Sequence, residues 1–445
     1  MASNRVTVIG CGHVGLVTAA GLAHLGHRVI GLDVNAELVT TLREGGVPFA
    51  EVGLEELLRE GLDSERLSFT TDYAEAAADA EFVFLTVDTP GTVAGAADLS
   101  NLRSATHSLK TALRDRRPIV VNKSTSPIGT GETIASILGE GFPEGSIPPR
   151  VAANPEFMRE GRGVHDFLNP DRIVIGANDP ADARAVASLF EALGAQVLET
   201  DLRTAEMIKY VANSYLATRI SFVNEIARLC EAVGADIDGV IQGVGLDPRI
   251  GSGYFTPGIG FGGSCLPKDL AAIRFTGESL GVATPILSAV DAVNRSRPAE
   301  VIRHLRIELG ALEGIRIGIW GITFKGGSAT SRDSPALSVI AILLNEGAQI
   351  AVFDPAFPKD VPANVATAMV DSAMEAVDGS DALVVLTDWK EFDVVPMAAV
   401  AGVMRGRLVV DGRNTLDPAV VAEAGLHYVG MGRPTRNPLT KQLPE

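Results

Sequence analysis

"RVTVIGCGHVGLVTAAGLAHLGHRVIGLD" (residues 5–33) decides the fold of this chain. An apolar, β-branched run, Val6 to Ile9, leads into Gly10, Gly12 and Gly15 in G-x-G-x-x-G spacing. A helical pattern follows, broken at Gly26, then a second strand from Arg28 to Leu32 that ends at Asp33. Three glycines alone are a weak signal; strand, glycine turn, helix, strand and acid in that order are a strong one for a dinucleotide site. Gly10 permits the tight turn, Gly12 lets the backbone approach a pyrophosphate, and Gly15 lets the helix pack on the strand. The helix N-terminus at His13 and Val14 offers unpaired N–H groups to phosphates. Asp33 would accept hydrogen bonds from ribose hydroxyls and repel a 2′-phosphate, so NAD is expected rather than NADP.

The alternation continues in "AEFVFLTVDTP" (80–90), "RPIVVNKSTSPIGTGE" (117–132) and "RVAANPEFMRE" (150–160), each a strand running into a polar loop. In an open parallel sheet, ligands sit beyond the carboxyl ends of the strands. Thr89, Thr125 and Glu160 are therefore expected to face the cofactor; the competing reading of each is an ordinary loop cap.

A chain of 445 residues is too long for one core, so two or three domains are expected. It has no apolar run of about 18 residues, so no membrane span is expected, and Met1 to Arg5 lead directly into the strand pattern, with no signal peptide expected ahead of them. A net charge of −17 argues against a nucleic-acid partner but not against a small anionic ligand. The three cysteines, Cys11, Cys230 and Cys265, are widely spaced, which fits reduced thiols in a cytoplasm better than disulfides. No metal site is expected, because no two cysteines are close and histidine is sparse.

From Thr204 to Val233 the pattern is helical without Pro or Gly. Such length suits an interface, and a homodimer is expected. Glu206, Lys209 and Asn213 share one face at i, i+3 and i+7. Either Glu206 and Lys209 form a salt bridge on a solvated face, or Lys209 and Asn213 are donors aimed at a developing oxyanion; the helix alone leaves both open. In "GIGFGGSCLPKDL" (258–270), Pro267 suits a helix's first turn, which places Cys265 just before a helix N-terminus, where the thiolate is favoured. Asp269 follows one turn on, and Gly262 and Gly263 remove side chains so that a substrate can approach. The competing reading is an inert cysteine at a turn, which fits Cys11 and Cys230 better.

"GIRIGIWGITFKGGSATSRDSPALSVIAILLNEGAQIAVFDPA" (314–356) repeats the logic of the first unit without its glycine fingerprint, with Lys325 and Arg332 in its place. It reads as a Rossmann-type unit that holds phosphate by cationic side chains. "DALVVLTDW" (381–389) and "GRLVVDGRN" (406–414) supply further strands, with Arg413 at a carboxyl end. The expected fold is α/β: a Rossmann NAD-binding domain over 1–200, a central helical, dimerisation and catalytic block over 201–305, and over 306–445 a Rossmann-like domain for a substrate that is itself a nucleotide conjugate.

A nicotinamide cofactor and a poised thiol together suggest oxidation at the aldehyde level. With "STSPIGT", "NPEFMREG", E-x-x-K-x-x-x-N, "PGIGFGGSCLPKD", "FK…SRDSPAL" and "VVDGRN" added, the chain resembles the UDP-glucose 6-dehydrogenase family of nucleotide-sugar dehydrogenases over nearly its whole length. The resemblance implies oxidation of a UDP-sugar at C6 to a carboxylate, in two steps with two NAD. It implies that Cys265 forms a thioester, that Lys209 and Asn213 stabilise the oxyanion, and that Asp269 holds water and assists proton transfer. Thr125 and Glu160 would assist water in thioester hydrolysis. Glu156, Phe157, Met158, Arg159 and Glu160, the loop Tyr254, Phe255, Thr256, Pro257 and Gly258, and Lys325 would meet the substrate, while Lys268 and Arg332 would meet the cofactor. Arg249 would reach across a dimer to the sugar.

Three departures stand out. Leu38 replaces a basic residue five after Asp33, implying weaker adenosine binding. "FKGGSATSR" (324–332) lacks a proline and two acids, implying a looser or differently paired loop, and Asp88 stands where a small or amide residue is common. GDP-mannose oxidation is the nearest alternative, and a catalytically silent nucleotide-sugar sensor is one from another class.

Overall fold

The computed structural model describes residues 3–113, 116–141 and 149–434. It divides into two compact units, residues 1–212 with 271–281 and residues 213–270 with 282–445.

The first unit is built on eight strands: β1 (Arg5–Ile9), β2 (Arg28–Leu32), β3 (Leu67–Thr70), β4 (Phe82–Leu85), β5 (Ile119–Asn122), β6 (Val151–Ala153), β7 (Ile173–Ala177) and β8 (Val197–Thr200). They lie in the order β3-β2-β1-β4-β5-β6-β7-β8, and all neighbours are parallel except β6 and β7. Alternate residues feed opposite faces. Val8, Phe84 and Val121 enter one core and Ile9, Val83 and Val120 the other, so β4 and β5 are buried on both sides. This two-sided burial is why those strands read as unbroken apolar runs. The order reverses between β1 and β4, which is where a doubly wound sheet opens a crevice for ligands.

The second unit repeats the plan with β9 (Arg316–Trp320), β10 (Gln349–Phe353), β11 (Ala382–Val385), β12 (Leu408–Asp411) and β13 (His427–Gly430) in the order β10-β9-β11-β12-β13. All four pairs are parallel. Asp354 ends β10 as Asp33 ends β2, but it is fully buried and accepts the amides of Ile322 and Thr323 at 2.8 and 2.9 Å. Its carboxylate closes the turn after β9 from within, so this unit keeps the acid of the first and gives it a structural task.

The long helix, Leu202–Val233, starts two residues before the sequence pattern indicates, because Asp201 accepts the Thr204 amide at 2.9 Å and caps it. This helix and Leu266–Ser279 each begin in one unit and end in the other. Among the described residues no helix is long and apolar enough to cross a membrane.

Candidate active site

The glycine turn has the geometry its spacing implies. Gly10 sits at φ +95°, and a Cβ on Gly15 would lie 1.7 Å from the Gly10 carbonyl oxygen, so any side chain there would push the helix His13–His24 off β1. Gly12 differs: a Cβ there would meet nothing within 4 Å. That open space above a helix N-terminus is what a pyrophosphate needs. Asp33 accepts the Cys11 amide at 2.8 Å and the Asn35 amide at 2.9 Å, one on each oxygen. Each oxygen keeps a second lone pair for a ribose hydroxyl. His13 meets Glu51 at 2.6 Å, and the same carboxylate oxygen accepts the Gly161 amide at 3.0 Å, tying the turn to the loop after β6. Leu38 packs against the first core.

The loops after β4 and β5 are joined by Thr89, whose hydroxyl donates to the Thr125 carbonyl at 2.5 Å, and by Ser124, which donates to the Val87 carbonyl at 2.7 Å. Glu206 makes no surface pair with Lys209, contrary to one of the two readings of the helix. Its two oxygens accept the amides of Gly129 and Gly131 at 2.6 and 2.7 Å. Burial, partly offset by those amides, pushes its carboxyl up to about 7. Lys209 points into the fold and donates to Glu156 at 2.9 Å, both side chains being under 10% exposed. Burial alone would raise Glu156; the ammonium and hydrogen bond of Lys209, with the Met158 amide, outweigh it and hold the carboxyl below its usual range. Lys123, fully enclosed, donates to Asn154 at 2.9 Å, and burial brings it down to about 8 against the pull of Glu156. In the loop after β6, the Phe157 ring lies 3.9 Å from the guanidinium of Arg172, which directly precedes β7, and Arg159 pairs at 2.6 Å with Asp166 of the helix Gly163–Leu168. Met158 packs on the first core, and Glu160 is half-buried, two residues after it.

In the second unit, Cys265 is exposed and immediately precedes the helix Leu266–Ser279, while Cys11 and Cys230 are buried and burial pushes their thiols up. Asp269, 1% exposed, accepts from Asn213 at 2.6 Å and from Lys268 at 2.8 Å, and its own amide bonds the Cys265 carbonyl at 2.9 Å. One turn of helix therefore carries an exposed thiol above a buried carboxylate held by an amide and an ammonium. Gly262 and Gly263 do not clear a path for a ligand. A Cβ on Gly262 would lie 2.3 Å from the Asp333 carbonyl oxygen, and one on Gly263 2.7 Å from the Phe324 ring. The missing side chains make room for the protein's own segment 324–335. In the preceding loop, Tyr254 takes φ +55° and Thr256 is exposed, whereas Phe255 and Pro257 are buried and Phe255 stacks on Phe222 at 6.2 Å. The Gly258 amide donates to Asn224 at 2.8 Å.

Arg413 lies two residues beyond β12, where its guanidinium donates to the carbonyls of Leu386, Gly260 and Phe324 at 2.9 to 3.0 Å. Lys325 sits 5.6 Å over the Phe324 ring, and the exposed Arg332 offers its carbonyl to the Gly263 amide. The altered loop is differently paired. Asp360 accepts from the Ser331 amide at 2.9 Å and from the hydroxyls of Thr330 and Ser331, and Asp388 accepts the Gly326 amide at 2.9 Å. Acids outside the loop replace those it lacks. Arg249 is exposed and pairs with its neighbour Asp247 at 2.6 Å.

Three consecutive family models cover the chain: the NAD binding domain of the UDP-glucose/GDP-mannose dehydrogenase family over residues 4–194, its central domain over 203–296 and its UDP binding domain over 318–418. The chain belongs to the UDP-glucose/GDP-mannose dehydrogenase family. It is similar to a UDP-glucose 6-dehydrogenase of Pseudomonas aeruginosa, 42% identical with 97% of this chain and 98% of that protein covered. It is also similar to a solved UDP-glucose dehydrogenase of Pyrobaculum islandicum, 38% identical at TM-score 0.88, covering 97% and 98% of the two chains. A GDP-mannose dehydrogenase of Pseudomonas aeruginosa is 29% identical at TM-score 0.54, covering 96% and 99%. The protein is an NAD-dependent nucleotide-sugar dehydrogenase of this family.

The sequence reading passed over Lys123, and of its two open alternatives for the helix the salt bridge gave Glu206 a partner it does not have, neither alternative naming the Gly129 and Gly131 amides that it accepts. A lysine directly after the buried strand β5 was the available signal for the first. For the second it was a glycine at the start of the helix Thr130–Gly139, which has no side chain with which to cap itself.

Proposed function

We propose that this protein oxidises UDP-glucose at C6 to UDP-glucuronate, with two NAD per substrate. The observation that carries the reading is full-length likeness to UDP-glucose enzymes, 42% and 38% identical against 29% for a GDP-mannose enzyme, combined with an exposed Cys265 at a helix start. Gly10, Gly12, Gly15, His13, Val14 and Asp33 would hold NAD, with Thr89, Thr125, Glu160, Lys268 and Arg332 beside it. NAD, when bound, supplies the hydride acceptor for both oxidations.

The first oxidation turns the C6 alcohol into an aldehyde. The Cys265 thiolate then adds to that carbonyl carbon, forming a thiohemiacetal whose oxygen carries negative charge. Lys209 and Asn213 are the donors to that oxygen, and they bind the charge more tightly than they bind the alcohol. Loss of the second hydride leaves a thioester on Cys265. A water held by Asp269, Thr125 and Glu160 attacks the thioester carbon, and the thiolate leaves as the carboxylate forms. Lys325, Arg413 and the loop from Tyr254 to Gly258 serve the UDP-sugar, together with the segment from Glu156 to Glu160.

The working form is a homodimer in the cytoplasm. Tyr215, Phe222, Leu229 and Val233 recur at i, i+7, i+14 and i+18, and every one is more than 50% exposed. This apolar stripe borders a groove of about 490 Å³ lined by Arg219, Phe222, Ile226, Val240 and Phe255. A second copy of the helix is a self-complementary cover for it, and Arg249 would then reach the partner's sugar.

The test follows NADH absorbance with UDP-glucose and, separately, GDP-mannose. Two NADH per UDP-glucose and no turnover of GDP-mannose are expected. One NADH with free aldehyde released, or preference for GDP-mannose, overturns the reading.

A further inference from the structure

We propose that Glu206 is a positioning residue: by accepting the Gly129 and Gly131 amides it fixes the segment that carries Thr125, and so sets the affinity for NAD. The proposal rests on the reading of Thr125 as a cofactor residue.

The segment Ser124–Gly131 connects β5 to the helix Thr130–Gly139. Its start is held by the hydroxyls of Thr89 and Ser124 and by Asn122, which donates to Ser126 at 2.7 Å. Its far end turns on itself, the Thr130 amide and hydroxyl both donating to the Pro127 carbonyl at 3.1 and 2.5 Å, and this turn leaves the Gly129 and Gly131 amides to an acceptor from outside the segment. Gly129, at φ +96°, stands in the capping position without a side chain, so the helix's first amides need an acceptor from elsewhere. The long helix supplies it, and both oxygens of one carboxylate take a backbone donor each. The site is enclosed: Glu206 is 4% exposed, and Leu202 packs where a Cβ on Gly131 would go. Water is therefore poorly placed to substitute for the carboxylate.

The charged groups around Glu206 are Glu132, from the capped helix, and Arg203, from the long helix; these two pair with each other at 2.5 Å. Burial and Glu132 raise the Glu206 carboxyl, and the two amides and Arg203 lower it, which leaves it at about 7. Ionised, it satisfies two donors. Protonated, one oxygen becomes an O–H that no longer accepts as well, and one of the two amides is weakened. Positioning of Thr125 should thus loosen, and NAD affinity fall, as pH drops through neutrality; a cap with no bearing on Thr125 would loosen without the change in affinity.

Calorimetric titration of NAD into wild type, Glu206→Gln, Glu206→Asp and Thr125→Ala between pH 6 and 8.5, with amide exchange followed at residues 129–131, tests this. Wild type should bind NAD several-fold more weakly at pH 6 than at pH 8.5. Glu206→Gln should bind about tenfold more weakly at pH 8.5, with a flatter profile and faster exchange. Glu206→Asp, retracted by one methylene, should lie between them, and it decides the matter alone if the Gln variant does not fold. Faster exchange with unchanged NAD affinity overturns the proposal, since Glu206 would then only cap a helix. If Thr125→Ala weakens NAD binding and the Glu206 variants do not, the proposal fails while the reading of Thr125 stands; if none does, both fail.

Discussion

Cys265 differs from the other two cysteines in exposure, and exposure governs reactivity as much as ionisation does. Iodoacetamide applied to the folded protein should modify Cys265 and spare Cys11 and Cys230; mass spectrometry showing all three labelled at equal rates would contradict their burial. Cys265→Ser should stop the second oxidation more than the first, because a hydroxyl is a far weaker nucleophile; full turnover at two NADH per sugar in that variant removes the thioester. Lys209→Ala should lower kcat by about 10²-fold with less effect on substrate KM. It should also cost about 3–5 kcal/mol of stability, because it strands a buried Glu156 carboxylate. In wild type the depressed Glu156 carboxyl contributes stability that is present above 4.5 and lost as pH falls below it. In Lys209→Ala burial acts on Glu156 without that cation, so acid should narrow the gap between variant and wild type. Unchanged kcat with lowered melting would leave Lys209 only its ion pair. The thiol was legible because glycine, proline and charge around a cysteine do not describe a core. The partner of Lys209 was not, since Glu156 lies 53 residues away and helix periodicity sees only neighbours on its own face.

Glycines in one chain serve opposite ends, and the two kinds separate by substitution. Gly12→Ala should fold and melt as wild type, since its φ is −69° and its Cβ meets open space, but should bind NAD much more weakly. Gly262→Ala should lose stability first, because its Cβ would collide with the Asp333 backbone. Parallel melting curves and NAD titrations check the pair; destabilised Gly12→Ala or fully stable Gly262→Ala contradicts the geometry. The glycine turn was readable because strand, turn, helix and acid lie within 29 consecutive residues. The neighbours of Gly262 and Gly263 were not, because the segment that fills their space arrives some 60 residues later in the chain. The helix bearing Glu206 carries a second pH signature. A carboxyl raised to about 7 in the folded state takes up a proton as pH falls from there toward 4.5, while the unfolded one does not, so its contribution to stability increases over that window. Cofactor affinity should weaken over the range where global stability rises.

At the scale of the molecule, the exposed stripe on the long helix predicts that Phe222→Glu with Leu229→Glu yields a monomer by sedimentation while the secondary structure is kept; an unchanged oligomer places the interface elsewhere. Two Rossmann-like sheets and the long helix were legible from strand and helix periods, whereas the reversed pair β6–β7 was not, since a three-residue strand carries no direction in its sequence. The division into units was also hidden, because it interleaves the chain: the first unit takes residues 271–281 from beyond the start of the second. That interleaving bears on how the protein is made. After residue 212 has been synthesised, a ribosome must add 281 − 212 = 69 more residues before the first unit has all its parts. At roughly 5–20 residues per second that is about 3–14 s. During that interval the place where Ala271 packs against Gly95 stands open on the nascent chain, and a chaperone that covers it would raise the yield of native protein.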